Sequence, residues 1–312
     1  VSFVRVNRNN TLRPAVVWGL ALAKVRKPAH AGTFYPALRE ELVKSIEESF
    51  LHRLGPGSLP RASQTRQRAS VGYLVPHAGY MYSGPVAAHS YFALAREGAP
   101  KVVVVAGPNH TGLGESASVW RGDAWETPLG QVEVDQEVAK MIVSNSRFFT
   151  FDEEAHVYEH SVEVQVPFLQ YVFGSNFKFI PIVIKLQTPE VSLDLASALV
   201  RLIKENGVDL VFIASSDMNH YEPHDITVRK DLEALKFVEA LDSEGLFRVL
   251  EAEDISMCGP GPAMTLLYMG RMLGAQKAKV LMHATSGDVT GEKDWVVGYA
   301  SAVVPLPGAE QS

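Results

Sequence analysis

Two short runs constrain this chain more than anything else in it. Val102 to Ala106 reads Val-Val-Val-Val-Ala, and Leu210 to Ala214 reads Leu-Val-Phe-Ile-Ala. Neither contains a polar residue, and both are rich in β-branched or aromatic side chains. A strand that alternates apolar and polar residues can leave one face in water. A strand that does not alternate has to be covered on both faces, which is the situation of parallel strands inside an α/β sheet. Helical spacing surrounds these runs. Leu38, Leu42, Val43, Ile46 and Phe50 share one face of a helix over Leu38–Leu51. Further helices are expected over Val86–Arg96, Val132–Asn145, Leu193–Asn206 (ended by Gly207), Ile226–Leu241 and Pro262–Leu273 (ended by Gly274). Ser161–Phe173 also has helical spacing, with a kink or restart at Pro167. Strands are expected at Val71–Val75, Phe179–Ile184, Val280–His283 and Trp295–Val304. Alternating strands and helices predict an α/β fold. We expect a single three-layer domain with a central, mostly parallel or mixed sheet and helices on both faces.

The body of that domain is expected to span residues 26–312, behind an N-terminal extension of residues 1–25. In the extension, Arg5, Arg8 and Arg13 precede an apolar stretch from Ala15 that ends Ala21-Leu22-Ala23, the general layout of a secretory signal. The stretch is short for that role, and the single cysteine of the chain fits a reducing compartment. The expected location is cytoplasmic. No apolar run approaches the roughly 18–20 residues that span a bilayer, so no membrane association is expected. Arg53–Ser70, with Arg53, Arg61, Arg66 and Arg68, reads as a solvated surface loop. With a formal charge of −6, nothing suggests the basic face that a nucleic-acid binder usually needs, so no nucleic-acid partner is expected.

Three expected strands end alike. Val71–Val75 runs into Pro76-His77-Ala78-Gly79-Tyr80. Val102–Ala106 runs into Gly107-Pro108-Asn109-His110. Leu210–Ala214 runs into Ser215-Ser216-Asp217-Met218-Asn219-His220. Ligands of open α/β sheets bind beyond the carboxyl ends of the strands. One histidine there is ordinary turn chemistry, but three at one edge are hard to read as packing, since each buried imidazole needs partners. Gly79, Gly84, Gly107 and Gly112 would let the backbone approach a bound group. Cys258 lies in Ser-Met-Cys-Gly-Pro-Gly-Pro directly before a helix, where a helix N-terminus is expected to favour thiolate. Imidazole and thiolate together suit iron, copper or zinc better than magnesium or calcium. Asp217 and His220 are placed to orient a ligand or move protons. His160 and Glu163, and His283 with Asp288, are expected to support or border the same site. His30 reads as structural. The chain has no phosphate loop, no nucleophile elbow and no dinucleotide fingerprint, so no nucleotide cofactor is expected.

These segments together resemble the MEMO family, also called the AmmeMemoRadiSam system protein B family. The matching stretches are Pro28–Pro36, Val75–Tyr82, Gly107–His110, Trp125–Val134, Glu159–Leu169, Ser215–Tyr221, Cys258–Ala263 and His283–Ala302. The resemblance implies a fold related to class III extradiol dioxygenases. It also implies a metal trio of His77, His110 and Cys258, a catalytic pair of Asp217 and His220, and a pocket with Tyr80 and Asn109 nearby. Those dioxygenases hold iron with two histidines and a carboxylate, whereas the third position here is Cys258. A thiolate changes the softness and redox behaviour of a bound ion. Three functions are therefore expected to compete. The first is a metal-dependent redox activity on an unknown substrate, a small molecule or peptide, with iron or copper as the ion and zinc as the alternative. The second is a module that binds a peptide or metabolite in an inherited pocket. The third is a metal-free thiol enzyme using Cys258.

Overall fold

The computed structural model describes residues 23–309. The reading of Arg5 to Leu22 as a leader falls outside them. The chain enters the fold at strand β1 (Val25–Arg26) and continues through α1 (Arg39–Leu51), β2 (Ser70–Val75), α2 (Tyr80–Arg96) and β3 (Val102–Pro108). Short strands β4 (Ala117–Val119), β5 (Ala124–Thr127) and β6 (Gly130–Glu133) follow, then α3 (Gln136–Ser144), β7 (Thr150–Phe151) and α4 (Glu154–Val157). A 3-10 turn at Glu163–Gln165 leads into α5 (Val166–Phe173), and then come β8 (Lys178–Ile184), α6 (Pro189–Asn206) and β9 (Leu210–Ser215). The last part holds β10 (His220–Glu222), α7 (His224–Glu239), α8 (Ser243–Ala252), α9 (Pro260–Met272), β11 (Lys279–Thr285), α10 (Ser286–Thr290) and β12 (Val296–Pro305).

The main sheet runs β10-β12-β2-β9-β3-β8-β4-β7, with β11 also paired to β12. The four central strands β2, β9, β3 and β8 are mutually parallel, and the apolar runs β3 and β9 are buried throughout. Antiparallel strands finish both sides, β12 on β2 and β4 on β8, so the sheet is mixed around a parallel centre. A small second sheet joins β1, β5 and β6. One helix group, α1, α2 and α5, meets the sheet through α2 on β2, β11 and β12. The other, α6, α8 and α9, meets it through α9 on β2, β3 and β9. Among the described residues, no helix is long and apolar enough to cross a membrane.

Several boundaries differ from the sequence expectation, each for a local reason. Helix α2 begins at Tyr80 rather than Val86 and carries Pro85 inside it. The carbonyl that Pro85 leaves without a donor belongs to Met81, which is exposed and open to water. The expected helix over Val132–Asn145 is split. Val132 pairs with Trp125 in the small sheet, and α3 starts only after Asp135, whose side chain caps Val138 N–H at 3.1 Å. Pro167 restarts the chain as α5, as its place in a first turn permits. The expected Ile226–Leu241 helix ends at Glu239. Leu241 turns through a positive φ of 53°, and Asp242 caps a further helix, α8. Arg66 is not a solvated loop residue: it bonds Glu97 at 3.2 Å and Asp209 at 3.1 Å.

Candidate metal centre

The strand register brings the site together. Leu74 of β2 stands beside Ala214 of β9, and Ala214 beside Ala106 of β3. Counting forward from that row, His77 and Asp217 each lie three residues on, and His110 four. Side chains distant in sequence therefore emerge from neighbouring strands at one edge. Cys258 joins them from the loop before α9. That loop is pinned by Gln187, whose Nε2 donates to the Cys258 carbonyl at 2.8 Å and whose Oε1 accepts from Gly261 N–H at 3.0 Å. Gly259 is required there, because a Cβ would stand 2.6 Å from the Ser215 carbonyl oxygen.

His77, His110 and Cys258 each present a ligand atom within 4.8 Å of the others, and the Cys258 Sγ to His77 Nε2 distance is 3.1 Å. Hydrogen bonds fix which imidazole nitrogens converge. Ser215 Oγ donates to the Ser161 carbonyl at 2.6 Å and accepts from Gln165 Nε2 at 2.8 Å. A hydroxyl has one proton, so the 2.9 Å contact from His77 Nδ1 must be donated by the imidazole. Gln165 is itself oriented by the Pro76 carbonyl and by the hydroxyl of Tyr91. On His110, Nδ1 donates to Glu159 Oε1 at 2.9 Å while the backbone N–H donates to Oε2 at 2.6 Å. Both imidazoles are thereby held with Nδ1 protonated and Nε2 free, the tautomer a metal requires. Two nitrogens and one sulfur leave further coordination positions open, which is the layout of a catalytic rather than a structural site.

The pocket around these atoms has a volume of about 450 Å3 and is lined by Phe34, His160, His220, Tyr221 and Ser256 as well as the trio and Asp217. Phe34, His160 and His110 form a continuous stack, with ring centroids 4.3 Å and 4.4 Å apart. Asp217 Oδ1 accepts His77 N–H at 2.7 Å, and burial raises its carboxyl above the usual range. His220 Nδ1 lies 2.8 Å from the Ser256 carbonyl, which can only accept, so His220 Nε2 is left to face the pocket. Burial, with the neighbouring His160, His110 and His220, holds His77 neutral. Burial likewise brings His160 down to about 4, against the opposing pull of Glu159.

One expectation is reversed. The helix start was expected to favour thiolate at Cys258. Instead burial, and next the Asp217 carboxylate, push the thiol well above its ordinary range, and the Asp217 N–H at 3.2 Å offsets this only in part. Without an ion the group is a neutral thiol. Other residues expected at the site stand behind it. Tyr80 is buried in the core with its hydroxyl on the Val164 carbonyl at 2.6 Å. Asn109 ties its own loop through Gly112 N–H and the Leu113 carbonyl. Glu163 binds Arg26 at 2.6 Å, the Tyr35 hydroxyl, and the backbone of Ala29 and His30. His283 pairs with the buried Asp231 at 2.8 Å, and Asp288 caps α10. The sequence reading missed Glu159, Ser215, Phe34 and Tyr221. Glu159 had a usable signal, being a carboxylate beside His160 in a segment already singled out.

A family profile described as Memo-like protein matches residues 26–303, nearly the whole described chain. The chain belongs to the Memo family. Three similar relatives each bear the name MEMO1 family protein. That of Ignicoccus hospitalis is 56% identical over 283 residues, covering 91% of this chain and 99% of the relative. That of Aeropyrum pernix is 54% identical and covers 90% and 100%, and that of Sulfolobus acidocaldarius is 53% identical and covers 89% and 98%. The relatives thus match the body of this Memo-family chain almost end to end.

Proposed function

We propose that this Memo-family protein is a metal-dependent redox enzyme that acts on a small molecule. One transition ion would be held by His77 Nε2, His110 Nε2 and Cys258 Sγ. The observation that carries this reading is the pair of fixed tautomers. Ser215 and Glu159 each take an Nδ1 proton, so both free nitrogens converge with the sulfur. A thiol with two imidazoles is a soft-to-borderline donor set, which suits iron or copper, with zinc as the redox-inert competitor. Iron or copper bound there supplies one-electron chemistry and Lewis acidity. The chain supplies the rest. His220, donating through Nδ1 to Ser256, offers Nε2 as an acceptor for a substrate proton. Asp217, whose carboxyl burial raises to about 6, offers a second proton station within the same pocket. Phe34 and His160 form a flat wall for the substrate.

The reading as a metal-free thiol enzyme is opposed by the state of the half-buried Cys258, whose ionisation is disfavoured by desolvation and by the Asp217 carboxylate, since thiolate is the nucleophile. The reading as a binding module shares the pocket and differs in chemistry. Metal content of protein purified without added metal, followed by oxygen consumption after loading with iron(II), separates them. Stoichiometric iron or copper with substrate-dependent oxygen uptake is expected. Protein free of metal that also fails to take up added iron, copper or zinc would overturn the proposal.

A further inference from the structure

The backbone of Tyr221 takes a conformation that its own side chain disfavours. Its φ is 57°, in the left-handed region that a glycine enters freely and an L side chain enters at a cost. It is the extra residue of a β-bulge, left between the pairs His220 with Val297 and Glu222 with Val296. Bulges that use this conformation commonly carry glycine at it, and bulges beside functional sites serve to re-aim a side chain. Both neighbours are pinned. His220 N–H donates to Ser256 Oγ at 2.8 Å, and Glu222 is held by Lys230 at 2.7 Å and by Asn219 Nδ2 at 2.6 Å. The strained link is therefore over-determined by its surroundings. Aiming His220 into the pocket needs only this backbone, and glycine would serve it better. The core has no need of the side chain either, because Tyr221 is 67% exposed. Its ring instead borders the pocket, edge-on to His220 at 5.7 Å.

We infer that Tyr221 is a specificity-determining residue, held by the bulge at the pocket to favour ligands with a flat, unsaturated face over saturated ligands of equal size. The inference rests on the pocket being a ligand site, and it does not depend on the ion. Phenol and cyclohexanol are the probes, alike in size and hydroxyl but differing in flatness. Their dissociation constants are measured with the full chain, metal-free and zinc-loaded, for wild type, Tyr221→Gly and Tyr221→Phe, with the His220 ring resonances reporting occupancy. Wild type and Tyr221→Phe are expected to prefer phenol. In Tyr221→Gly that preference is expected to fall roughly 2- to 12-fold, the worth of one aromatic pair. Its thermal midpoint is expected to equal or exceed that of wild type, because the strain is relieved. An unchanged preference in Tyr221→Gly, or failure of both probes to move the His220 resonances of wild type, would overturn the inference. A lowered midpoint would also overturn it, by showing that the tyrosine serves the fold. The zinc titration of the same samples reads the metal centre separately. Absent zinc binding with an intact phenol preference would remove the centre and leave this inference standing.

Discussion

Replacing Glu159 by glutamine exchanges one carboxylate oxygen for an amide nitrogen and removes a buried charge beside the proposed ion. The carboxylate accepts His110 N–H at 2.6 Å, His110 Nδ1–H at 2.9 Å and Ser161 N–H at 2.8 Å. All three partners donate. A glutamine whose oxygen serves Nδ1 and Ser161 points its own N–H2 at the His110 backbone N–H. Turned the other way, its N–H2 faces Ser161 N–H, and Nδ1 must become an acceptor. The imidazole proton then moves to Nε2, the atom meant for the ion. Either arrangement leaves a buried donor unpaired, at about 1–3 kcal/mol. Loss of an orienting carboxylate behind a histidine ligand lowers metal affinity by about 10–100-fold. The assay is a competition titration of zinc against a chromophoric chelator, with Glu163→Gln as control. Glu163 is as buried as Glu159, but it holds Arg26 and Tyr35 rather than a ligand. Glu163→Gln should lose stability and keep its zinc affinity, whereas Glu159→Gln should lose zinc affinity. A folded Glu159→Gln that binds zinc within about threefold of wild type would refute the orienting role.

Gly298→Ala should destabilise the fold by about 1–3 kcal/mol, the usual range for overpacking, since its Cβ would meet Asp231 Oδ2 at 1.8 Å; a thermal midpoint equal to wild type would contradict this. Acid should weaken the protein in a defined window. Burial and the nearby Arg26 hold His156 at about 3, and the His110 hydrogen bond and the charges of His110 and His160 overcome burial to hold Glu159 at about 2. Both values lie below the unfolded ones, so this stability is complete above about pH 6.5 and is lost as pH falls toward 3 for His156, and from about 4.5 toward 2 for Glu159. A urea midpoint that stays flat between pH 7 and pH 3 would refute both assignments. Cys258→Ser should reduce affinity for zinc and copper(I) more than Asp217→Asn does, because it removes the soft donor; equal losses would argue that the sulfur is not a ligand.

The parallel centre of the sheet was legible because the runs Val102–Ala106 of β3 and Leu210–Ala214 of β9 carry no polar residue, a pattern that two-sided burial explains. The histidines at the strand ends were legible for the same reason, as interruptions of those runs. Their meeting at one edge was expected from those shared strand ends, but the order that makes them neighbours, with β9 between β2 and β3, was not legible, since strand order is a long-range property. Strands of two to four residues, such as β1, β4 and β7, are too short to show a period. Helix α8 did leave a trace, Leu246 and Leu250 one turn apart behind the capping Asp242. The state of Cys258 was misread because the helix start is local and visible in sequence. The burial and the Asp217 carboxylate that outweigh it come from chain about forty residues away.

The most direct test of the account is a calorimetric titration of iron(II), copper(I) and zinc into the metal-free chain and into a His77→Ala, Cys258→Ser double variant. The account predicts one site in the wild type for at least one of these ions. Binding should release protons, since the neutral Cys258 thiol must ionise to serve as a ligand, and affinity should fall as pH is lowered. The double variant should lose that site while remaining folded. If no ion binds the wild type more tightly than the double variant, His77, His110 and Cys258 do not form a metal centre.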